Sequence, residues 1–174
     1  MSAPVPDDLA ESFQPVVGTA VMLRPLRPED IDIESAFVHG LSAESRHNRL
    51  LGGAIAITRE YLERLTRIDY SRDMALAATL MLEKEILIGV ARYVRDADGA
   101  AAEFAIVVAD TWHGRGIGKR LLERLAAIAR TRGVRQLYGD ILAINRPMLG
   151  LVKKLGFTLS RNPDPALTRA TLAL

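Results

Sequence analysis

The sequence contains no cysteine, which removes several classes of protein from consideration. Disulfide scaffolds, zinc fingers with thiolate ligands, thiol nucleophiles and redox pairs all require that residue. Aromatic residues make up only 5% of the chain, and its four tyrosines show no stacking array of the kind that RNA-binding proteins use. We therefore expect no nucleic-acid partner. The three scattered histidines lack metal-ligand spacing, so we also expect no metal.

Long apolar runs and a strong excess of one charge are missing as well. The longest apolar run, residues 74–82, has about half the length that a membrane-spanning helix needs. The N-terminus carries Asp7, Asp8 and Glu11 where a signal peptide would place positive charge before an apolar stretch. With 23 basic and 21 acidic side chains, the net charge is only +2. We expect a cytoplasmic protein with no membrane partner.

The composition that is present is ordinary for a globular protein. The chain has 174 residues, of which 49% are hydrophobic and 25% charged, and this length fits one domain. Residues 1–18 contain three prolines and little periodicity, so we expect a flexible lead-in there. The folded domain is expected to cover residues 19–174.

The apolar pattern predicts the order of helices and strands. Three apolar runs separated by short polar turns predict an antiparallel meander, and the chain as a whole is predicted to be α+β. Helices are predicted at about 29–38, 42–50, 58–68, 116–132 and 145–155. Strands are predicted at 19–24, 74–82, 86–94, 102–108 and 135–142, with two closing strands around 157 and at 168–174.

The segment that carries the chemistry is residues 112–119, WHGRGIGK, between an apolar strand and an amphipathic helix. Its three glycines let the backbone turn sharply and approach a ligand closely. The N-terminus of a helix adds about half a positive charge, and consecutive free N–H groups there form a receptor for phosphate oxygens. The segment therefore predicts a site for an anionic cofactor.

Two common phosphate-binding patterns do not fit this segment. A Walker A loop would need glycine at His113 and serine or threonine at Arg120, and neither G-x-G-x-x-G alignment finds its third glycine. Among the basic side chains nearby, Arg115 and Lys119 are the better candidates for a phosphate ligand. The arginines farther along the helix are more typical of a solvated helix face.

Residues 113–118, HGRGIG, resemble the Q/R-x-x-G-x-G/A acyl-CoA motif of the GNAT N-acetyltransferase superfamily. His113 departs from that motif, in which glutamine or arginine is usual. Asn145, followed by KKLGF at residues 153–157, is similar to the later family segment that ends in K-L-G-F. The resemblance covers residues 19–174 and implies the GNAT fold. This fold is a central mixed, mostly antiparallel sheet with helices on both faces, splayed between the strand before the glycine loop and the strand after its helix.

The same resemblance implies acetyl-CoA as the acyl donor, lying in that splay. It assigns binding of the donor to backbone groups of the strand before the loop, to the loop itself and to the later asparagine. These residues are Ile106, Val107, Val108, His113, Gly114, Arg115, Gly116, Ile117, Gly118, Lys119 and Asn145. We expect a valine at Gly116 to weaken binding by steric intrusion.

Three further segments resemble the acetyltransferase domain of bacterial protein-lysine acetyltransferases that regulate acyl-CoA synthetases. They are residues 23–30 (LRPLRPED), 41–46 (LSAESR) and 102–105 (AEFA). The resemblance implies a protein lysine as acceptor, such as one on an acyl-CoA synthetase. In those proteins the domain often follows a regulatory domain, and we expect this chain to act without one.

Glu103 is the candidate catalytic residue. A lysine amine has a pKa near 10.4, so its reactive neutral form is disfavoured by about 4.6 kcal/mol at pH 7 and some group must accept its proton. Position alone leaves Glu103 equally well explained as a strand-end glutamate paired with an arginine, and the resemblance favours a general base. Asp110 is interpreted as a turn residue. Many relatives place a proton-donating tyrosine at the position of Val152, so the general acid is unassigned here.

Three functions therefore stay open. The first is acetyl transfer to a protein lysine by direct attack in a ternary complex, and the second is acetylation of a small-molecule amine. The third is a non-catalytic acyl-CoA-binding sensor, which the missing tyrosine and His113 would suit. The sequence also leaves open the oligomeric state, with a homodimer as one option, and the use of other acyl donors.

Overall fold

The computed structural model describes residues 3–174, which form one mixed sheet flanked by helices. The strands are β1 (Glu11–Val16), β2 (Thr19–Pro25), β3 (Met74–Met81), β4 (Glu85–Arg95), β5 (Ala101–Val108), β6 (Gln136–Leu142), β7 (Thr158–Arg161) and β8 (Leu167–Ala173). The helices are α1 (Ile31–Gly40), α2 (Ala43–Arg49), α3 (Arg59–Thr66), α4 (Ile117–Thr131) and α5 (Arg146–Lys154). No helix among these residues is both long and apolar enough to cross a bilayer.

The eight strands lie in the order β1-β2-β3-β4-β5-β6-β8-β7. Every neighbouring pair is antiparallel except β5 and β6, which are parallel and pair only from Ala101 to Glu103. The predicted meander of β3, β4 and β5 is confirmed. The predicted α+β class, with a mixed and mostly antiparallel sheet, is confirmed too.

The sheet is covered on both faces. Apolar side chains of α1 pack with β3 and β4 on one face, and those of α4 and α5 form the larger cluster on the other. The predicted apolar stripe of α4, which includes Ile117, Leu121 and Leu125, is fully buried against the strands. Burial of apolar surface stabilises the packing of these layers by about 25 cal/mol for each Å² that is removed from water.

Where a capping residue marks the end of a helix, that end lies within two residues of its predicted position. The side chains of Ser42, Thr58 and Asn145 each accept a hydrogen bond from the N–H three residues later, which satisfies a donor that the helix leaves free. Gly133 and Gly156 follow α4 and α5 with left-handed φ angles of 80° and 87°. A side chain would strain the backbone at both positions, so glycine there favours the end of a helix.

The N-terminal segment differs from the prediction. Residues 1 and 2 of the expected lead-in lie outside the described residues, but residues 11–16 form β1 and pair with β2. Phe13 packs against the core, and Arg120 Nη2 on α4 lies 2.8 Å from Glu11 Oε1. Pro15 is compatible with this strand because an edge strand has one side on which no N–H is needed. The sheet therefore begins before residue 19, and the proline content concealed a strand.

Candidate active site

The strands β5 and β6 separate immediately after Glu103, which lies opposite Tyr138. Beyond that point β5 pairs only with β4, and β6 pairs only with β8. Two lengths of backbone, residues 104–108 and 139–142, therefore face each other without pairing. We call the space between them the gap.

The hydrogen bonds at the two ends of β5 show which backbone groups face the gap. Asp96 N–H donates to Ala101 O over 2.9 Å, and Ala109 N–H donates to Ile88 O over 2.8 Å. Residues 101 and 109 thus bond towards β4. Because successive residues of a strand direct their N–H and C=O groups to opposite edges, residues 104, 106 and 108 direct theirs into the gap.

This alternation separates the three strand residues that the sequence assigned to acyl-donor binding. Ile106 and Val108 present backbone groups to the gap. Val107 does not, because its groups belong to the ladder with β4 and its carbonyl oxygen lies 3.4 Å from where a β-carbon on Gly89 would be. Its side chain packs against the apolar cluster that α1 forms with β3 and β4, so Val107 supports the site without facing it.

Gly139 lies where the two strands diverge, and the sequence analysis did not identify it. A β-carbon there would lie 2.9 Å from ring atom Cε1 of Phe104 and 2.9 Å from its carbonyl oxygen. Close-packed interiors do not tolerate such contacts. A single glycine inside a strand is a recognised sign of close backbone approach, and this was the signal that could have found it.

The loop before α4 presents a row of free backbone donors. The N–H groups of residues 114–119 have no acceptor within residues 3–174, and the first bond of the helix runs from Arg120 N–H to Gly116 O over 3.0 Å. Gly114 and Gly116 have left-handed φ angles of 71° and 82°. Donors at a helix N-terminus, where the dipole adds positive charge, suit the oxygens of a phosphate. These residues could hold the diphosphate of acetyl-CoA.

The glycines of this loop serve different purposes. A β-carbon at Gly116 would meet no protein atom within 4 Å, so a valine there would project into open space where a ligand could lie, and its expected effect on acetyl-CoA binding stays a prediction. The cost of a side chain there lies in the left-handed backbone. At Gly118, by contrast, a β-carbon would lie 3.2 Å from Leu151 Cδ2, so this glycine lets α4 and α5 approach each other.

His113 braces the loop against the end of β5. Its Nε2 lies 2.8 Å from Val108 O, and since a carbonyl can only accept, Nε2 carries the hydrogen. The side chain is exposed on its other side. The His113 ring therefore acts as a hydrogen-bond donor that fixes the loop to the end of β5.

Two exposed cations flank the row of donors. The Arg115 guanidinium lies 4.8 Å from the ring centre of Trp112, and Lys119 Nζ lies 3.8 Å from Glu123 Oε1 in a loose, solvent-exposed pair. Exposed pairs of this kind contribute little energy, so Lys119 can turn towards an anion. Arg120, in contrast, is already paired with β1.

Glu103 projects from the sheet face that carries α1, and its side chain is exposed. Among residues 3–174 it forms no direct ion pair with a lysine, arginine or histidine, and Arg169, on which its charge acts, binds Asp140 instead. Its neighbour Tyr138 donates its hydroxyl to Asp96 Oδ1 over 2.7 Å. This hydrogen bond, burial and the charges of Asp96 and Glu103 raise the pKa of Tyr138 to about 12. Tyr138 is therefore a poor proton donor.

The predicted cap at Asn145 is present, since its Oδ1 accepts the N–H of Met148 over 3.3 Å. Asn145 thus fixes the start of α5 beside the wide end of the gap. Val152, on the same helix, is fully buried in the core. This position offers no group that could protonate a leaving thiolate.

Asp110 does more than the predicted turn requires. It opens a short 3-10 turn, residues 110–112, and its carboxylate accepts hydrogen bonds from the N–H and Oγ of Ser42 and from Oγ of Ser45. Burial opposes ionisation, but these hydrogen bonds outweigh it and lower the pKa of Asp110 to about 2. The partners lie 65 to 68 positions away in sequence, beyond the reach of local patterns.

Comparison with known proteins agrees with this geometry. Residues 41–157, two thirds of the chain, match the Acetyltransferase (GNAT) family. Acetyltransferase PA5475 of Pseudomonas aeruginosa is 36% identical over 148 residues, which cover 84% of this chain and 80% of that protein. Acetyltransferase Pat of Mycolicibacterium smegmatis is 31% identical over 137 residues, which cover 77% of this chain but 40% of that protein.

The same relationship is visible in three dimensions. The crystal structure of the GNAT domain of S. lividans PAT superposes with a TM-score of 0.86 at 27% identity, covering 98% of this chain and 100% of that domain. The match includes the parts of the sheet and the helices that border the gap. The chain therefore belongs to the GNAT family of acetyltransferases and is an acyltransferase.

Proposed function

We propose that the protein is an acetyl-CoA-dependent N-acetyltransferase that transfers an acetyl group to the amine of a protein lysine, by direct attack in a ternary complex. The observation that carries the proposal is the gap between β5 and β6. Glu103 lies at its narrow end, and the free N–H groups of residues 114–119 lie at its wide end.

The dimensions of the gap suit a long, thin donor. Val108 lies five residue steps along β5 from Glu103, which is about 17 Å at 3.3 Å per step. A diphosphate held by the loop would place an extended pantetheine arm along this edge. There the backbone groups of residues 104, 106 and 108 offer hydrogen bonds to the amides of pantetheine. The Val108 carbonyl is the exception, because it already accepts a hydrogen bond from His113.

The chemistry at the narrow end is proton removal and acyl transfer. Acetyl-CoA, when bound, supplies a thioester carbonyl that a neutral amine can attack. Glu103 accepts the proton that the amine loses as the new C–N bond forms and the C–S bond breaks. Backbone N–H groups facing the gap stabilise the charge that develops on the carbonyl oxygen.

No protein acid is required for the leaving group. A thiol has a pKa of about 8.5, so CoA can leave as the thiolate near neutral pH. This is compatible with a buried valine at position 152 and with the hydroxyl of Tyr138 being held by Asp96. Glu103 is the one side chain to which the proposal assigns a proton transfer.

Two observations support a protein lysine as the acceptor. Glu103 and Ala105 are exposed on an open face of the sheet, where a side chain from another protein's surface can reach them. Residues 23–30, 41–46 and 102–105 resemble the domain of enzymes that acetylate lysines of acyl-CoA synthetases, and the chain is also similar to Acetyltransferase Pat and to the GNAT domain of S. lividans PAT. A lysine of an acyl-CoA synthetase is the acceptor to test first.

The experiment is to incubate the purified protein with isotopically labelled acetyl-CoA and a bacterial proteome, and to map labelled lysines by mass spectrometry. A parallel reaction without enzyme subtracts chemical acetylation. We expect labelling of a small set of lysines, with an acyl-CoA synthetase among them. Labelling of free amines alone would instead identify a small-molecule acetyltransferase. Binding of acetyl-CoA without transfer to any amine would identify a sensor.

A further inference from the structure

We infer that Asp110 is a positioning residue, which ties the acetyl-CoA-binding loop to helix α2 and so fixes the position of that loop at the wide end of the gap. This inference rests on the proposed function, because it takes the loop of residues 113–118 to be the part that binds acetyl-CoA. Asp110 does not touch the reacting atoms.

The connection itself consists of three short hydrogen bonds. Asp110 Oδ2 accepts the N–H of Ser42 over 2.9 Å, and Oδ1 accepts the hydroxyls of Ser42 and Ser45, each over 2.7 Å. The Ser42 hydroxyl oxygen also accepts the N–H of Ser45 over 3.1 Å, as the cap of α2. One carboxylate therefore fixes the whole first turn of that helix.

On the loop side, Asp110 stands at the fixed end of the row of donors. Its backbone carbonyl accepts the N–H of His113 over 3.2 Å, and Ala109 before it donates its N–H to Ile88 O of β4. The first free N–H follows at Gly114. The other end of the loop is held by Ile117, the first residue of α4, whose side chain is buried in the core. A shift of Asp110 would thus move the donors of residues 114–116, which precede the helix.

On the other side, α2 spans the wide end of the gap. Its first turn is bound to Asp110, just beyond the end of β5. Just past its last turn, a β-carbon on Gly52 would lie 4.0 Å from Cδ2 of Leu142, the last residue of β6. The helix therefore begins at the end of β5, and the residues that follow it lie near the end of β6.

A positioning role predicts a specific pattern of kinetic effects. Replacing Asp110 by alanine removes all three acceptor contacts, and we expect a roughly tenfold rise in the Kd and KM for acetyl-CoA. The kcat should change less than about twofold, because Glu103 lies at the other end of the gap. Asparagine can accept the Ser42 N–H and exchange hydrogen bonds with the serine hydroxyls. Asp110→Asn should therefore stay within about threefold of the wild-type affinity.

The test is calorimetric titration of acetyl-CoA and steady-state kinetics on the full chain with Asp110→Ala, Asp110→Asn and Ser45→Ala. Asp32→Ala, an exposed aspartate on α1, is the matched control. Ser45→Ala removes one of the three hydrogen bonds and remains informative if Asp110→Ala does not fold. It should weaken binding less than Asp110→Ala, and the effects of the two should not add in the double variant.

The outcomes are distinct. Asp110→Ala or Ser45→Ala binding acetyl-CoA as tightly as Asp32→Ala would overturn the positioning role alone. Asp110→Asn behaving like Asp110→Ala would also overturn it, because the charge and not the connection would then matter. Wild-type protein that binds no acetyl-CoA would overturn the proposed function, and this inference with it.

Discussion

Phe104 occupies the space that a side chain on Gly139 would need, at the point where β5 and β6 part. The ring and the carbonyl oxygen of Phe104 both lie 2.9 Å from the position of a β-carbon on that glycine. The ring also packs against Phe157, with the two ring centres 5.2 Å apart. The narrow end of the gap therefore depends on the Phe104 ring on one strand and on the lack of a side chain at Gly139 on the other.

Gly139→Ala should destabilise the fold and change the gap. The added carbon must displace Phe104 from a packed position, which typically costs about 1–3 kcal/mol. Urea denaturation would measure the loss in the free energy of unfolding, and acetyl-CoA titration would report the change at the site. Gly40→Ala is the control, because a β-carbon on Gly40 meets nothing within 4 Å. Equal stability of the two variants would show that Phe104 adjusts freely.

Gly116 should tolerate asparagine better than valine. Its φ of 82° costs an ordinary residue about 1–2 kcal/mol, but asparagine adopts the left-handed region more readily than a β-branched residue does. We expect Gly116→Val to weaken acetyl-CoA binding by up to about tenfold and Gly116→Asn by clearly less. Calorimetric titration checks the order. Equal affinities for wild type and Gly116→Val would mean that the loop does not hold the diphosphate.

The contribution of Asp110 to stability should depend on pH in a defined window. Its pKa is lowered to about 2 in the folded protein, from about 3.9 for an unfolded aspartate. A lowered pKa in the folded state stabilises the fold above the unfolded pKa, and this stabilisation is lost as the pH falls through the folded pKa. The stability difference between wild type and Asp110→Asn should thus be constant above about pH 5 and shrink below about pH 4. Denaturation curves for both proteins across this range would show it, and a difference that grows on acidification would contradict it.

The buried ion pair between Arg24 and Asp30 should matter far more to stability than an exposed one. Arg24 is 4% exposed and donates two hydrogen bonds to the Asp30 carboxylate, over 2.7 and 2.8 Å. Asp30→Ala removes both of these hydrogen bonds and leaves Glu85 as the remaining carboxylate partner of the buried guanidinium, at a cost of about 3 kcal/mol. In the exposed Arg59–Glu63 pair, Glu63→Ala should cost less than about 0.5 kcal/mol. Chemical denaturation of both variants measures their free energies of unfolding. Similar losses of stability in Asp30→Ala and Glu63→Ala would contradict the prediction.

The sequence predicts most of the helices and strands because their signals are local. The spacing of Ile117, Leu121 and Leu125 shows one face of α4, and cap residues such as Ser42 and Asn145 show where helices begin. The glycine loop is predictable for the same reason, since its donors and its turn come from consecutive residues. Each of these features depends on residues that are close together in the sequence.

The parts that could not be predicted depend on contacts between distant segments. β1 is a strand because Glu11 and Phe13 meet α4 and β2, although the proline content suggests an irregular segment. Asp110 acquires its role from serines more than 60 positions away. Gly139 matters only because Phe104 lies beside it. The register of β5 with β4, which turns Val107 away from the gap, is likewise set by pairing and not by composition.

Exchange of Glu103 for glutamine tests the central claim most directly, with acetyl-CoA affinity and the rate of acetyl transfer measured on the same preparation. If Glu103 accepts the proton of the attacking amine, the Kd for acetyl-CoA stays within about twofold while kcat at pH 7 falls by about 100-fold or more. Part of the lost rate should return at high pH, as the amine loses its proton to the solvent. Undiminished turnover by Glu103→Gln at pH 7 would contradict the account.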